Sequence, residues 1–268
     1  MGTQSIPTSL GVSDAASISL LGKDVAHELM GHVTFAELSF WLVAQRRPTP
    51  DELAVFEAVL VGLVDHGFTP TVIATRVTYY SAPDSLQGAL ASGLLGGGSR
   101  LLGVTEDAGR MLNVAVREHW SAGEWDTDVD ELARQIVREH ATANRLVPGL
   151  GHRQHKEGDP RVPVLLDLSR RHGVSGPHLE LLERVSAVSS VVLNRRLPLN
   201  AAGVSGAVFA DLGLPVGIFR GLSLLARCAG LVGHLAEEQR QPVGGEIYSR
   251  IDERVVYEAP HLDADHYP

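Results

Sequence analysis

Residues 147–161 read VPGLGHRQHKEGDPR and gather two histidines, two arginines and a lysine: His152, Arg153, His155, Lys156 and Arg161. Imidazoles donate to or accept from a carbonyl oxygen near neutral pH. Arginine forks match carboxylates through two parallel hydrogen bonds, and lysine or arginine suits phosphate. The glycines of the segment permit backbone turns that other residues would strain, and Pro160 fixes the chain just before Arg161. A loop of this make-up suits an anionic ligand that carries a reactive carbonyl. Composition alone fits equally well with a solvated loop holding a few surface ion pairs.

Other chemistry-bearing stretches are set aside on spacing. In His27-Glu-Leu-Met-Gly-His32 the histidines stand five apart, whereas a helical zinc pair needs i and i+4. Gly93-Leu-Leu-Gly-Gly-Gly-Ser-Arg100 lacks the lysine of a phosphate loop and follows a helix rather than a strand. No GxSxG elbow occurs. Cys228 lies in the apolar run LLARCAGLVGHL and reads as a buried, inert thiol.

The elements that must position the loop are helical. Thr49-Pro-Asp-Glu52 has the form of a capping box with proline at the first helical position, an apolar run over 53–64 follows, and Gly67 stands where a C-terminal cap belongs. The stretch 81–95 reads as a second helix rich in small residues. Residues 106–119 and 128–142 carry apolar positions at three- and four-residue spacing, and 177–193 and 216–238 read as two further long helices. Alternating strand patterns are short. The expectation is a mostly α-helical domain with glycine-rich connections, without repeats, low-complexity tracts or a separating linker.

The chain has 268 residues, 44% of them hydrophobic, and a formal net charge of -9. That suffices for one large core or two lobes. The acidic balance argues against general nucleic-acid binding. No uninterrupted apolar run reaches the roughly 18–20 residues of a membrane span, and the N-terminus shows no secretory pattern. A single cysteine fits a reducing cytoplasm.

Several segments in order resemble the citrate synthase superfamily, most closely the short citryl-CoA lyases and the lyase portion of ATP-citrate lyase. The loop is similar to the GxGHxxxxxxDPR segment. GKDVAHELMGHVTFAE, the pair Asp65-His66, SAPDSLQGALASGLLGGGSRLLG, LNAAGVSGAVFADLGLP and RGLSLLARCAGLVGHLAEEQ look like further family segments, spanning roughly 20–257. The resemblance implies an all-α fold with large and small helical domains around a cleft, 1–103 with 206–268 forming the large one and 104–205 the small one. It implies a homodimer with site arginines contributed across the interface, a coenzyme A thioester as substrate, oxaloacetate or another 2-oxo acid as the second component, and no metal.

Residue by residue, the resemblance makes His152 the histidine that polarises the keto oxygen in condensation and takes the hydroxyl proton in cleavage. Arg161 and Arg227 become carboxylate-binding arginines, His66 a substrate-binding histidine, and Lys156 a contact to the coenzyme A phosphates. Arg250 is a further candidate anion contact. Two departures stand out. Leu101-Leu102-Gly103 occupies the place of the synthases' Leu-His-Gly, as in the lyase branch. Ala202, in Leu199-Asn-Ala-Ala-Gly203, falls where the family has its catalytic aspartate. Another carboxylate (Asp14, Asp65 or Asp211), a water held by Asn200 and Ser205, hydrolase or decarboxylase chemistry, or a regulatory homologue that only binds a carboxylate or CoA ester would each account for that alanine.

Overall fold

A computed structural model describes residues 5–259. Two compact units divide them. The first holds the chain up to Asp65 together with Gly97–Arg227, and the second holds His66–Gly96 and the chain from Cys228 on. These limits differ from the 1–103/206–268 and 104–205 division implied by the resemblance.

The first unit opens with three short antiparallel strands, β1 (Gly11–Ser13), β2 (Ile18–Leu20) and β3 (Lys23–Asp24), in that order. Asp24 caps the following turn by accepting from the His27 N–H at 2.8 Å, and His27 Nδ1 sits 2.9 Å from the same oxygen. His27 of the zinc-like pair is thus hydrogen-bonded locally. Helix α1 (Phe35–Ala44) leads to α2 (Pro50–Leu63). The predicted capping box is present: Thr49 accepts from Glu52 N while Glu52 accepts from Thr49 N, with Pro50 in the first turn.

In the second unit α3 (Pro70–Ser81) is not among the expected helices, and the helix expected over 81–95 is α4 (Leu86–Leu95), starting five residues later. Pro83 is the reason. It pushes Ala82 out of the helical region, to φ -137° and ψ 68°. The first unit then continues with α5 (Val104–His119), a two-stranded hairpin of β4 (Trp120–Ser121) and β5 (Glu124–Trp125), α6 (Val129–Thr142), α7 (Arg161–Arg171), α8 (Pro177–Val192) and α9 (Ala201–Asp211). A 3-10 turn over Val216–Ile218 precedes α10 (Phe219–Arg240), so the helix expected from 216 starts three residues later. Helix α11 (Gly244–Asp252) follows in the second unit.

The first unit's core is organised around α9. Its sequence, AAGVSGAVFAD, has nine buried residues of eleven, because small side chains let α5 and α8 approach closely. An aromatic column runs through it: Phe40–Phe56 at 5.3 Å, Phe56–Phe209 at 5.9 Å and Phe209–Phe219 at 5.5 Å, all four rings fully buried. Each such ring stabilises by about 1.5–3 kcal/mol relative to exposure.

The second unit is keyed on Arg76, fully buried on α3. Its guanidinium bonds Glu238 Oε2 (2.8 Å), His234 Nδ1 (2.8 Å) and Glu237, and lies 5.0 Å from the Phe68 ring centroid. Glu238 Oε1 in turn accepts from Val243 N and Gly244 N at the start of α11.

Two sequence expectations change here. Cys228 is half-buried rather than buried. Val216–Arg240 is long and apolar enough to span a membrane by length and composition alone, although Arg220 and Arg227 interrupt its apolar run. Arg227, in its middle, is 5% exposed and bonded within the first unit, which is how a core helix behaves.

Candidate functional site

The basic loop between α6 and α7 is sewn to the segment that precedes α9, some fifty residues later in sequence. Gly151 N donates to Pro198 O (2.7 Å), Asn200 N to Gly149 O (3.0 Å), and Leu150 bridges Leu199 in antiparallel register. This miniature ladder needs bare backbone. A Cβ on Gly149 would lie 3.0 Å from the Cα of Gly203, and Gly149 and Gly151 hold φ of +92° and +74°. Both positions therefore favour glycine on conformational grounds, and Gly149 on steric grounds as well.

Asn200 makes the joint between the two segments. Its Oδ1 caps α9 by accepting from Gly203 N (2.9 Å), and its Nδ2 donates to Gly151 O (2.8 Å). The residue before His152 and the residue after Ala202 are thereby held by one side chain. Ala202 is half-buried in the first turn of α9. Ser205 donates to Ala201 O (2.7 Å) and is fully buried. Asn200 and Ser205 thus each bond the backbone at this turn.

His152 Nδ1 accepts from two backbone N–H groups, Gln154 N at 3.1 Å and His155 N at 3.0 Å. A nitrogen that accepts twice carries no hydrogen, so the neutral ring is the Nε2–H tautomer. The imidazole is built as a hydrogen-bond donor. The His155 ring stacks on it, with centroids 4.5 Å apart.

Arg161, the last residue of the motif, opens α7. Its Nε and Nη2 grip Asp159 at 2.9 and 2.7 Å, and its Nη1 donates to Gly62 O at 2.9 Å. Of the five N–H groups of a guanidinium, three are committed and two are not, among the described residues. Asp159, 2% exposed, also accepts from the backbone N of Ala201 (2.9 Å), which ties α7 to the start of α9. Burial alone would raise the Asp159 carboxyl, but the Arg161 guanidinium and the N–H groups of Ala201 and Arg161 outweigh it and hold the group well below the usual carboxylate range.

Arg227, on α10, donates to Leu63 O at 3.3 Å. Burial pulls its guanidinium below the ordinary value, Asp65 opposes that shift, and Arg161 adds to it through like charge. Arg161 and Arg227 therefore converge on consecutive carbonyls at the C-terminal end of α2. Those carbonyls have no partner within the helix, and the negative end of the helix dipole favours cations there.

His66 and Arg250 belong to the second unit. Arg250 is a surface residue, its side chain 76% exposed and paired with Glu246 at 2.7 Å. Lys156 is exposed on the basic loop. Two of the carboxylates offered as substitutes for the missing aspartate are committed elsewhere. Asp14 closes the β1–β2 turn onto Ala16 N and Ser17 N. Asp211, at the far end of α9 and about 13 Å from position 202 by helical rise, caps α8 through Gly176 N, His178 N and Leu179 N. Asp65 stands beside Arg227.

Sequence reasoning missed Asp159 and the Gly149–Gly203 approach. The only signals were an aspartate two residues before an arginine and a glycine in each partner segment.

A family model described as "Citrate synthase, C-terminal domain" matches residues 5–248. The probable ATP-citrate synthase subunit 1 of Neurospora crassa is 29% identical over 234 residues, covering 81% of this chain and 33% of that protein. The chain thus spans about a third of that relative. The structure of citryl-CoA lyase from Hydrogenobacter thermophilus superposes with a TM-score of 0.81 at 28% identity, covering 99% of this chain and 98% of the other. The ATP citrate lyase of Methanothrix soehngenii, in complex with citrate and coenzyme A, gives 0.81 at 22% identity over 100% of this chain and 44% of that one, a likeness of fold.

Proposed function

Because the chain belongs to the citrate synthase C-terminal domain family, we propose that it is a citryl-CoA lyase-like enzyme, breaking or forming the carbon–carbon bond between an acetyl-CoA-type enolate and oxaloacetate or a related 2-oxo acid. The observation that carries this reading is the convergence of Arg161 and Arg227 at the end of α2, with Arg161 tied through Asp159 to the first turn of α9 and His152 tied to the same turn through Asn200. The two uncommitted N–H groups of Arg161 suit a substrate carboxylate. The His152 imidazole suits the substrate oxygen, polarising it as the keto group in condensation and taking the hydroxyl proton in cleavage. His66 and Lys156 complete the proposed ligand contacts, to a carboxylate and to the coenzyme A phosphates. A homodimer, lobes over 1–103 with 206–268 and 104–205, and a cytoplasmic setting belong to the same proposal.

Ala202 favours a second reading. A methyl group can neither remove a proton from a thioester nor return one, and such groups contribute about 10²–10⁴-fold to rate. A homologue that binds a carboxylate or CoA ester as a regulatory ligand, or one with hydrolase or decarboxylase chemistry, needs no carboxylate at that place.

Release of acetyl-CoA and oxaloacetate from citryl-CoA, measured for the parent and for Ala202→Asp, tests both readings. Turnover by the parent establishes the lyase. Turnover by the substituted chain alone establishes a binding homologue with reduced catalysis. Inactivity of both, with citrate still bound, points to hydrolysis or decarboxylation.

A further inference from the structure

We infer that Asn200 is a positioning residue that fixes where the His152 imidazole stands relative to residue 202. The inference deepens the proposed function, because it takes His152 to be a ligand-contacting group.

The argument is geometric. Asn200 is 8% exposed, and both ends of its amide are used. Its Oδ1 accepts from Gly203 N at 2.9 Å, and its Nδ2 donates to Gly151 O at 2.8 Å. Its own N–H donates to Gly149 O at 3.0 Å. An N-cap needs only a side-chain acceptor, and serine or aspartate supplies that as well as asparagine. The Nδ2 donor is therefore surplus to capping, and it reaches across to the peptide immediately before His152. Beyond that peptide the ring is fixed by its own turn, through Gln154 N and His155 N on Nδ1. The chain of restraints runs from Gly203 through Asn200 and Gly151 to the imidazole. It is short and fully hydrogen-bonded, and every link lies within the first unit.

Asn200→Ser separates the two duties. Serine keeps the cap and loses the bond to Gly151 O. The test follows the ring nitrogens of His152 by ¹⁵N NMR across a pH titration without ligand, and citrate affinity by calorimetry. The expected result is retained amide protection in the first turn of α9, a displaced His152 titration midpoint or a mixture of ring tautomers, and citrate binding weakened roughly three- to tenfold, the effect of one lost hydrogen bond.

Unchanged His152 nitrogen shifts and midpoint would overturn the inference, whatever happens to citrate. If the parent itself fails to bind citrate, the proposed function fails while the His152 reading still decides the role of Asn200. Should the serine chain not fold, Asn200→Asp, which keeps size and cap acceptor, is measured in its place. A His152 tautomer and exchange pattern identical to the parent then overturns the inference, and a perturbed pattern with intact α9 protection supports it.

Discussion

Arg161 and Arg227, 66 positions apart in the chain, donate to the carbonyl oxygens of adjacent residues, Gly62 and Leu63, at the end of α2. Two cations so close repel each other, and Arg227 feels it. Asp159 on one side and Asp65 on the other compensate the pair. The proposed ligand carboxylate would meet a balanced set of charges here, with Arg161 already oriented by its aspartate.

Asp159→Asn should destabilise the fold by about 3 kcal/mol, the usual penalty for leaving one partner of a buried pair uncompensated. Chemical denaturation measures it. Citrate affinity should fall with it, because Arg161 loses its side-on clamp. A neutral result would mean that Arg161 is held by Gly62 O alone.

The pH dependence of stability should change in the same variant. In the folded chain the Asp159 carboxyl lies well below its ordinary range. Its stabilisation is therefore complete above the unfolded value of about 4 and is lost as the pH falls toward the folded one. Denaturation midpoints measured from pH 5 down to pH 2 should slope less in Asp159→Asn than in the parent. Parallel slopes would assign the acid sensitivity to other carboxylates.

Arg227→Met removes the charge while keeping most of the packing volume. It leaves Leu63 O and Asp65 without that guanidinium, so a loss of about 2–3 kcal/mol is expected. Citrate binding should be lost along with it. Binding that survives would exclude Arg227 from the ligand contacts.

Gly203→Ala should cost about 1–3 kcal/mol, because the new methyl meets the backbone of Gly149, which cannot swing aside as a side-chain end could. The His152 loop must shift to admit it, so His152 ring signals should move in NMR spectra. Alanine at Gly62, where nothing lies within 4 Å of the added methyl, should leave them in place.

Much of the scaffold was readable from local chemistry. Thr49 and Glu52 announce the start of α2 because a capping box involves only residues three apart. The amphipathic spacing of α5 and α6 likewise depends on neighbours one turn away. Where local pattern failed, a local cause was overlooked: Pro83 divides α3 from α4 through the residue before it.

The sequence by itself determined the helical character of the chain, the family likeness, and which loop concentrates the imidazoles and guanidinium groups, since all three are encoded in residue types and short spacings. Only the tertiary structure decided which partners those groups find. Whether His152 donates or accepts depends on which backbone N–H groups reach its Nδ1. Whether Arg161 meets a ligand bare or already braced depends on Asp159 and on a carbonyl from α2. The same holds for Asn200, whose Nδ2 finds Gly151 only because two glycine-bearing segments come into backbone contact. Hydrogen bonds are directional and act over about 3 Å, so their partners are chosen by the packing that brings distant segments together and carry no signature in the order of residues.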